Sequence, residues 1–353
     1  MSAPESANQA VRRSWSGWAM LALERIPIPY PLLVALVGVM AAVEQMLEYS
    51  VAVQMGAVMP NPLGQATVFI SLFVYILLVL RMLKRAALEA LLELRPSVFI
   101  SDEVYDRHVH QMVNARWGIE VALLVCSIAI VALLFGVAGS DLMILGGGFP
   151  ASLPLKAFMA FTYVFLGWLL LSLIYATIRQ ARALGALARC PLDVNVYHPA
   201  NLFPFGRLSV WHGMAIVGLV MIPLLILGMP SRAGFLVIGF SVIGLAAVFI
   251  PLWGVHEQIG HAKAKALNAM SQQLLEVQTQ WLDPLNHSVD DSKRLSDRIN
   301  MLLTLRKVID DSPNWPFRSE AAIVRAAIAA ASPLIYFILN QLILKFLLPG
   351  LIR

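Results

Sequence analysis

The chain has 353 residues, 59% of them hydrophobic and 13% charged, and a mean hydropathy of +0.74. Such figures exclude an ordinary soluble globule and describe a polytopic, all-α membrane protein. The net charge of +5 calls for no nucleic-acid partner, because the basic residues are scattered over loops beside a membrane and form no long run.

Met1 to Arg25 is polar, with Trp15 and Trp18 among arginines, and reads as a short amphipathic segment on the membrane surface. A cleavable signal peptide is not expected, since about thirty residues, including Pro27, Pro29 and Pro31, precede the first apolar segment and no small-residue cleavage site follows it. The first span opens near Pro31, where proline suits a first helical turn, and runs to about Tyr49. It carries Glu44 and Glu48, which share a face at i, i+4.

Pro60-Asn61-Pro62 marks a turn, and Val68 to Met82 forms the second span, which runs out into a basic, leucine-rich extension stopped by Pro96. Asp102 to Arg116 reads as a solvated charged loop, in which His108 and His110 face different ways and do not suggest a metal site. Trp117 opens the third span, which ends near Val137, and Gly146-Gly147-Gly148 lacks the Lys and Ser/Thr of a phosphate loop. The fourth span covers Ala157 to Ile178, and Pro191 to Pro199 has strand-like character. Leu208 to Met229 and Phe235 to Trp253, separated by a few residues, are antiparallel neighbours.

Beyond Gly254 the composition turns polar, and Leu267, Met270, Leu274, Val277 and Trp281 repeat at alternating spacings of three and four. That is the seam of a helix packing on a partner in water. Asp283-Pro284 breaks it, and Leu295, Ile299, Leu302 and Ile309 supply the second half of an antiparallel hairpin, a candidate assembly face. Trp315 and Phe317 stand where the chain re-enters lipid, as interfacial anchor or hinge. The last span, from about Arg325 to Leu348, places Ser332, Tyr336 and Asn340 on one stripe, with Gln341 and Lys345 on the adjoining face.

The organisation expected is an amino-terminal segment (1–30), a six-helix bundle (31–254), a cytoplasmic hairpin (255–318) and a final span (319–353). Alternate loops gather 22 of the 26 lysines and arginines on one side. By the positive-inside rule the amino terminus is inside, the carboxyl terminus outside and the hairpin cytoplasmic, in what is read as a bacterial inner membrane.

Catalytic and metal-binding patterns are weak. His256 and His261 stand at i, i+5, about 140° apart on a helix, which does not make the zinc-protease pair. No nucleophile and base fall together at one depth, so neither an enzyme nor a cofactor is expected. Glu120 and His212 are ionisable groups near the inner surface, either paired with loop arginines such as Arg116 and Arg207 or part of an ion pathway. Glu44 and Glu48 belong toward the outer leaflet with Lys345, as an ion pair or the lining of a vestibule.

Seven spans, an inside amino terminus, an outside carboxyl terminus and a helical segment before the last span resemble the topology of the insect odorant and gustatory receptor channels. The resemblance implies a homo-oligomer whose last helix lines a central pore. That family's last helix carries a Thr-Tyr pair, five residues and then Gln-Phe; here Ile335 precedes Tyr336, and four residues separate Tyr336 from Gln341. The first reading is a weakly cation-selective, ligand- or state-gated channel lined by Ser332, Tyr336, Asn340 and Gln341. The alternatives are a secondary transporter, or a membrane-anchored sensor or scaffold working through the hairpin. The partners expected are the lipid bilayer, further copies of the chain, and a small-molecule ligand or ion.

Overall fold

The computed structural model describes residues 29–54, 61–113, 117–137, 153–197, 199–227, 234–282, 289–317 and 319–346. Within these, the side chains of 134–137, 153, 234–236, 281–282, 289–292, 320 and 343–346 are not described. The amphipathic reading of Met1 to Arg25, the glycine loop near 147 and the hairpin turn at 283–288 therefore lie outside the described residues.

The described chain is all α. Its helices are α1 (Tyr30–Gln54), α2 (Pro62–Leu94), α3 (Asp102–Val113), α4 (Trp117–Val137), α5 (Leu153–Leu187), α6 (Phe203–Leu227), α7 (Gly234–Leu282), α8 (Val289–Asp311) and α9 (Glu320–Phe346). Seven segments, carried by α1, α2, α3–α4, α5, α6, α7 and α9, are long and apolar enough to cross a membrane, which makes this an integral membrane protein. The span count matches the sequence reading.

Several boundaries differ from that reading. Asp102 to Val113 is a helix, because Tyr105, Val109, Met112 and Val113 form an apolar stripe that α3 buries against α5, while Asp102 and Glu103 suit its positive amino end. The Pro191–Pro199 stretch contributes one isolated antiparallel bridge, Val98 to Leu192, rather than a strand. Most notably, α7 does not stop at Pro251 or Gly254 but continues as one helix of 49 residues. Prolines also lie inside α6 (Pro223) and α9 (Pro333), a tolerance common in membrane helices whose neighbours re-satisfy the freed backbone groups.

Close approaches fix the centre of the bundle. The Tyr75 hydroxyl of α2 donates to the Met214 carbonyl of α6 at 2.8 Å, and its ring lies where a side chain at Gly218 would stand. Gly213 likewise admits Val248 of α7. The Ser127 hydroxyl of α4 donates to Val164 O of α5 at 2.8 Å, beside Gly167. At the other end of α5, the Gln258 amide of α7 donates to the Ala188 and Cys190 carbonyls, both at 2.8 Å, and so satisfies backbone acceptors left open where a helix ends. Partial burial there also pushes the Cys190 thiol above its ordinary pKa. Asn61, in the left-handed region at φ 51°, starts α2 by accepting the Gly64 N–H on its side chain.

Candidate intramembrane polar site

The buried seam of α1 reads Val34, Val37, Ala41, Glu44, Glu48, Val51, the alternating three-and-four spacing of a helix packed against neighbours. Two of its positions are carboxylates. Glu44 is 0% and Glu48 1% exposed, and at about 1.5 Å per residue Glu44 lies about 21 Å from Tyr30 and about 15 Å from Gln54, well inside the span.

Their partners come from α1 and α5. The Gln45 side-chain amide donates to Glu44 Oε2 at 2.8 Å and to Glu48 Oε2 at 3.0 Å. The Tyr163 hydroxyl of α5 donates to Glu48 Oε2 at 3.2 Å, and its ring is held 5.1 Å from that of Phe69 on α2. Oε1 of both glutamates is buried with no hydrogen-bond partner, and no cation among the described residues reaches either group. Lys345, the sequence-based partner, has its side chain outside the described residues. Packing instead sets α1 against α2 and α5, whereas α9 lies on α6 and α7.

Two carboxylates in a low-dielectric interior, sharing one neutral amide, must carry protons or meet cations. The two free Oε1 atoms are hard oxygen acceptors, suited to a proton or an alkali cation rather than to a soft metal. Tyr163 is the member that sequence reading missed. It is 115 residues from Glu48, and its only signal was a hydroxyl on an otherwise apolar stretch of span.

A second polar group lies toward the other end of α5. His212 of α6 is fully buried and its Nε2 is 3.0 Å from Gln180 Oε1, while His212 Nδ1 and the Ser209 hydroxyl have no partner. Arg207 pairs with Glu93 at 2.8 Å and not with His212. Arg179 donates to Val113 O at 3.2 Å and interacts electrostatically with Glu120.

The proposed pore stripe of α9 is turned partly inward. Tyr336 packs on Val220 and Leu224 of α6 and Val237 of α7, the Ser332 hydroxyl donates back to Ala329 O at 2.8 Å, and Asn340 and Gln341 are half-buried. The large apolar side chains Val324, Ile328, Ile335, Ile338 and Leu339 are exposed instead.

The α7–α8 pair brings together the hairpin residues. Met270 and Val277 are buried, as are Leu302 and Ile309 of α8, with Leu267 and Leu274 half-buried and the Trp281 side chain outside the described residues. Lys263, 7% exposed, holds the end of α8 by donating to Asp310 O at 3.4 Å, to Ser312 O and to Asn314 Oδ1 at 2.8 Å. That places a cation at a helix carboxyl end and sets the two helices antiparallel. His256 Nδ1 donates to Asn314 O at 2.8 Å, and its ring stacks on Trp315 at 4.3 Å. Phe317 is buried, its ring and the Pro316 carbonyl lying against Gly206 of α6. Among the described residues no group of three or more His, Cys, Asp or Glu side chains is placed to hold a metal ion.

No protein-family model, curated protein or solved structure matches the chain.

Proposed function

We propose that the protein is a membrane transporter in which a proton or an alkali cation binds the Glu44–Glu48 pair during passage. The observation that carries this reading is the buried pair itself, with two Oε1 atoms unused and no compensating cation among the described residues. Burial alone favours apolar side chains at those two seam positions, so the carboxylates there point to a bound ligand. His212, Gln180 and Ser209 supply a second polar station nearer the basic end of the bundle. The charge asymmetry of the loops supports a cytoplasmic basic side, an inside amino terminus and an inner-membrane location.

The test is flux in proteoliposomes. Protein-containing vesicles, given a proton gradient, a sodium gradient or a potassium diffusion potential, are expected to pass one of these ions faster than empty vesicles. Glu44→Gln and Glu48→Gln together should lower that flux at least about tenfold while the protein stays folded. Unchanged flux in the double variant would remove the pair from the pathway.

A second reading is a homo-oligomeric, weakly cation-selective channel lined by α9, the arrangement implied by the resemblance to the insect receptor channels. One observation favours it: only 17% of the α9 window is buried within a single chain, so its surface is left to lipid or to other copies. Currents abolished by Asn340→Leu but untouched at Glu44 and Glu48 would put this reading first.

A further inference from the structure

Between α6 and α9, at the end of the bundle where the basic residues gather, lies a groove of about 1180 Å³. Its origin is local. Ala322, Ala326 and Ala329 follow at i, i+4, i+7 and face α6 with methyl groups only, so the space that longer side chains would fill stays open beside Phe203, Val210 and Trp211. Pro316 and Phe317 line the groove too, held against Gly206, where no side chain fits.

The charged rim differs from this apolar body. Glu93, Arg207 and Arg325 line it. Arg207 is neutralised by Glu93 at 2.8 Å. Arg325 uses only its Nε, which donates to Ala321 O at 3.2 Å, and no acidic side chain among the described residues pairs with its terminal nitrogens. Arg325 belongs to the first turns of the last apolar window, Ala321–Leu342, and basic side chains at the ends of such spans reach the headgroup region. Trp211, exposed beside it, carries the amphipathic ring typical of that depth.

From a guanidinium with no acidic partner among the described residues, above an apolar, alanine-walled groove, we propose that this is a binding site for one anionic phospholipid of the surrounding bilayer. The phosphodiester sits on the Arg325 fork and an acyl chain lies along Ala322, Ala326 and Ala329. The Arg325 charge, uncompensated among the described residues, matches one phosphodiester charge, and a guanidinium binds phosphate bidentately where an ammonium cannot. The apolar lining selects a lipid over a water-soluble phosphate, which would leave that surface uncovered.

The experiment is native mass spectrometry of the full chain in detergent, with phosphatidylglycerol and phosphatidylcholine supplied at equal mole fraction. The expected result is one phosphatidylglycerol retained at least about tenfold over phosphatidylcholine. Arg325→Gln should bring phosphatidylglycerol down to the phosphatidylcholine level, and Arg325→Lys should fall between. Ala326→Leu, which fills the groove and leaves the arginine in place, should lower retention of both lipids. Three outcomes would overturn the proposal: equal retention of the two lipids by the native chain, full phosphatidylglycerol retention by Arg325→Gln, or displacement by millimolar glycerol phosphate. A dimer that lipid does not dissociate and that Arg325→Gln leaves intact would give the groove to a second copy instead. Arg325 is exposed, so the glutamine variant should fold, and its unfolding midpoint beside the native one keeps the comparison clean.

Discussion

Two of the regions that hold ionisable groups away from solvent are satisfied in opposite ways. At the junction of α7 and α8, Lys263 finds three oxygen acceptors and His256 both a carbonyl and an aromatic face. In the α1 seam, Glu44 and Glu48 share one amide and one hydroxyl and leave two oxygens unused. Fully partnered polar groups hold a structure together; a buried acid with spare lone pairs is left available for a ligand. The first pattern makes the 312–317 segment a latch between the helix pair and the membrane bundle, the second makes the seam a site.

Substitutions sharpen or break that contrast. The largest effect on folding belongs to the latch: Lys263→Ala removes all three bonds and should lower unfolding free energy by about 3 kcal/mol in a denaturant titration. Glu48→Leu should do the reverse, leaving stability unchanged or raising it by about 1 kcal/mol, because an apolar side chain suits that seam position better. Equal losses at the two sites would erase the distinction. Gly218→Val, which drives a side chain into the Tyr75 ring, should cost about 2 kcal/mol regardless of ions present. The smallest effect is Asn61→Ala, about 1 kcal/mol from the lost α2 cap, with no change in transport.

Much of the fold was legible because it rests on local chemistry. Long apolar runs gave the seven spans, and the heptad spacing of Met270 with Val277 and of Leu302 with Ile309 gave the helix pair. The Asp102–Arg116 segment was misread because its charge masked the i, i+4, i+7 stripe of Tyr105, Val109 and Met112, which only the α5 partner makes meaningful. The turn to polar composition beyond Gly254 hid the continuity of α7, which runs through Pro251 as one helix. Glu44 and Glu48 could be placed on one face from spacing alone. What they face could not: Tyr163 is brought to them by packing of α1 on α5, and no periodicity encodes a contact so distant in sequence.

Binding of a cation or a proton by the Glu44–Glu48 pair is read from the unfolding midpoint of the detergent-solubilised protein, titrated separately with sodium, potassium and protons. A ligand that binds only the folded state raises that midpoint as its concentration rises, so proton binding appears as stabilisation when pH falls. The expected result is a rise with one of the three in the native chain and none in the Glu44→Gln, Glu48→Gln double variant. A midpoint equally insensitive to all three in both proteins, or a response that survives intact in the double variant, would contradict it.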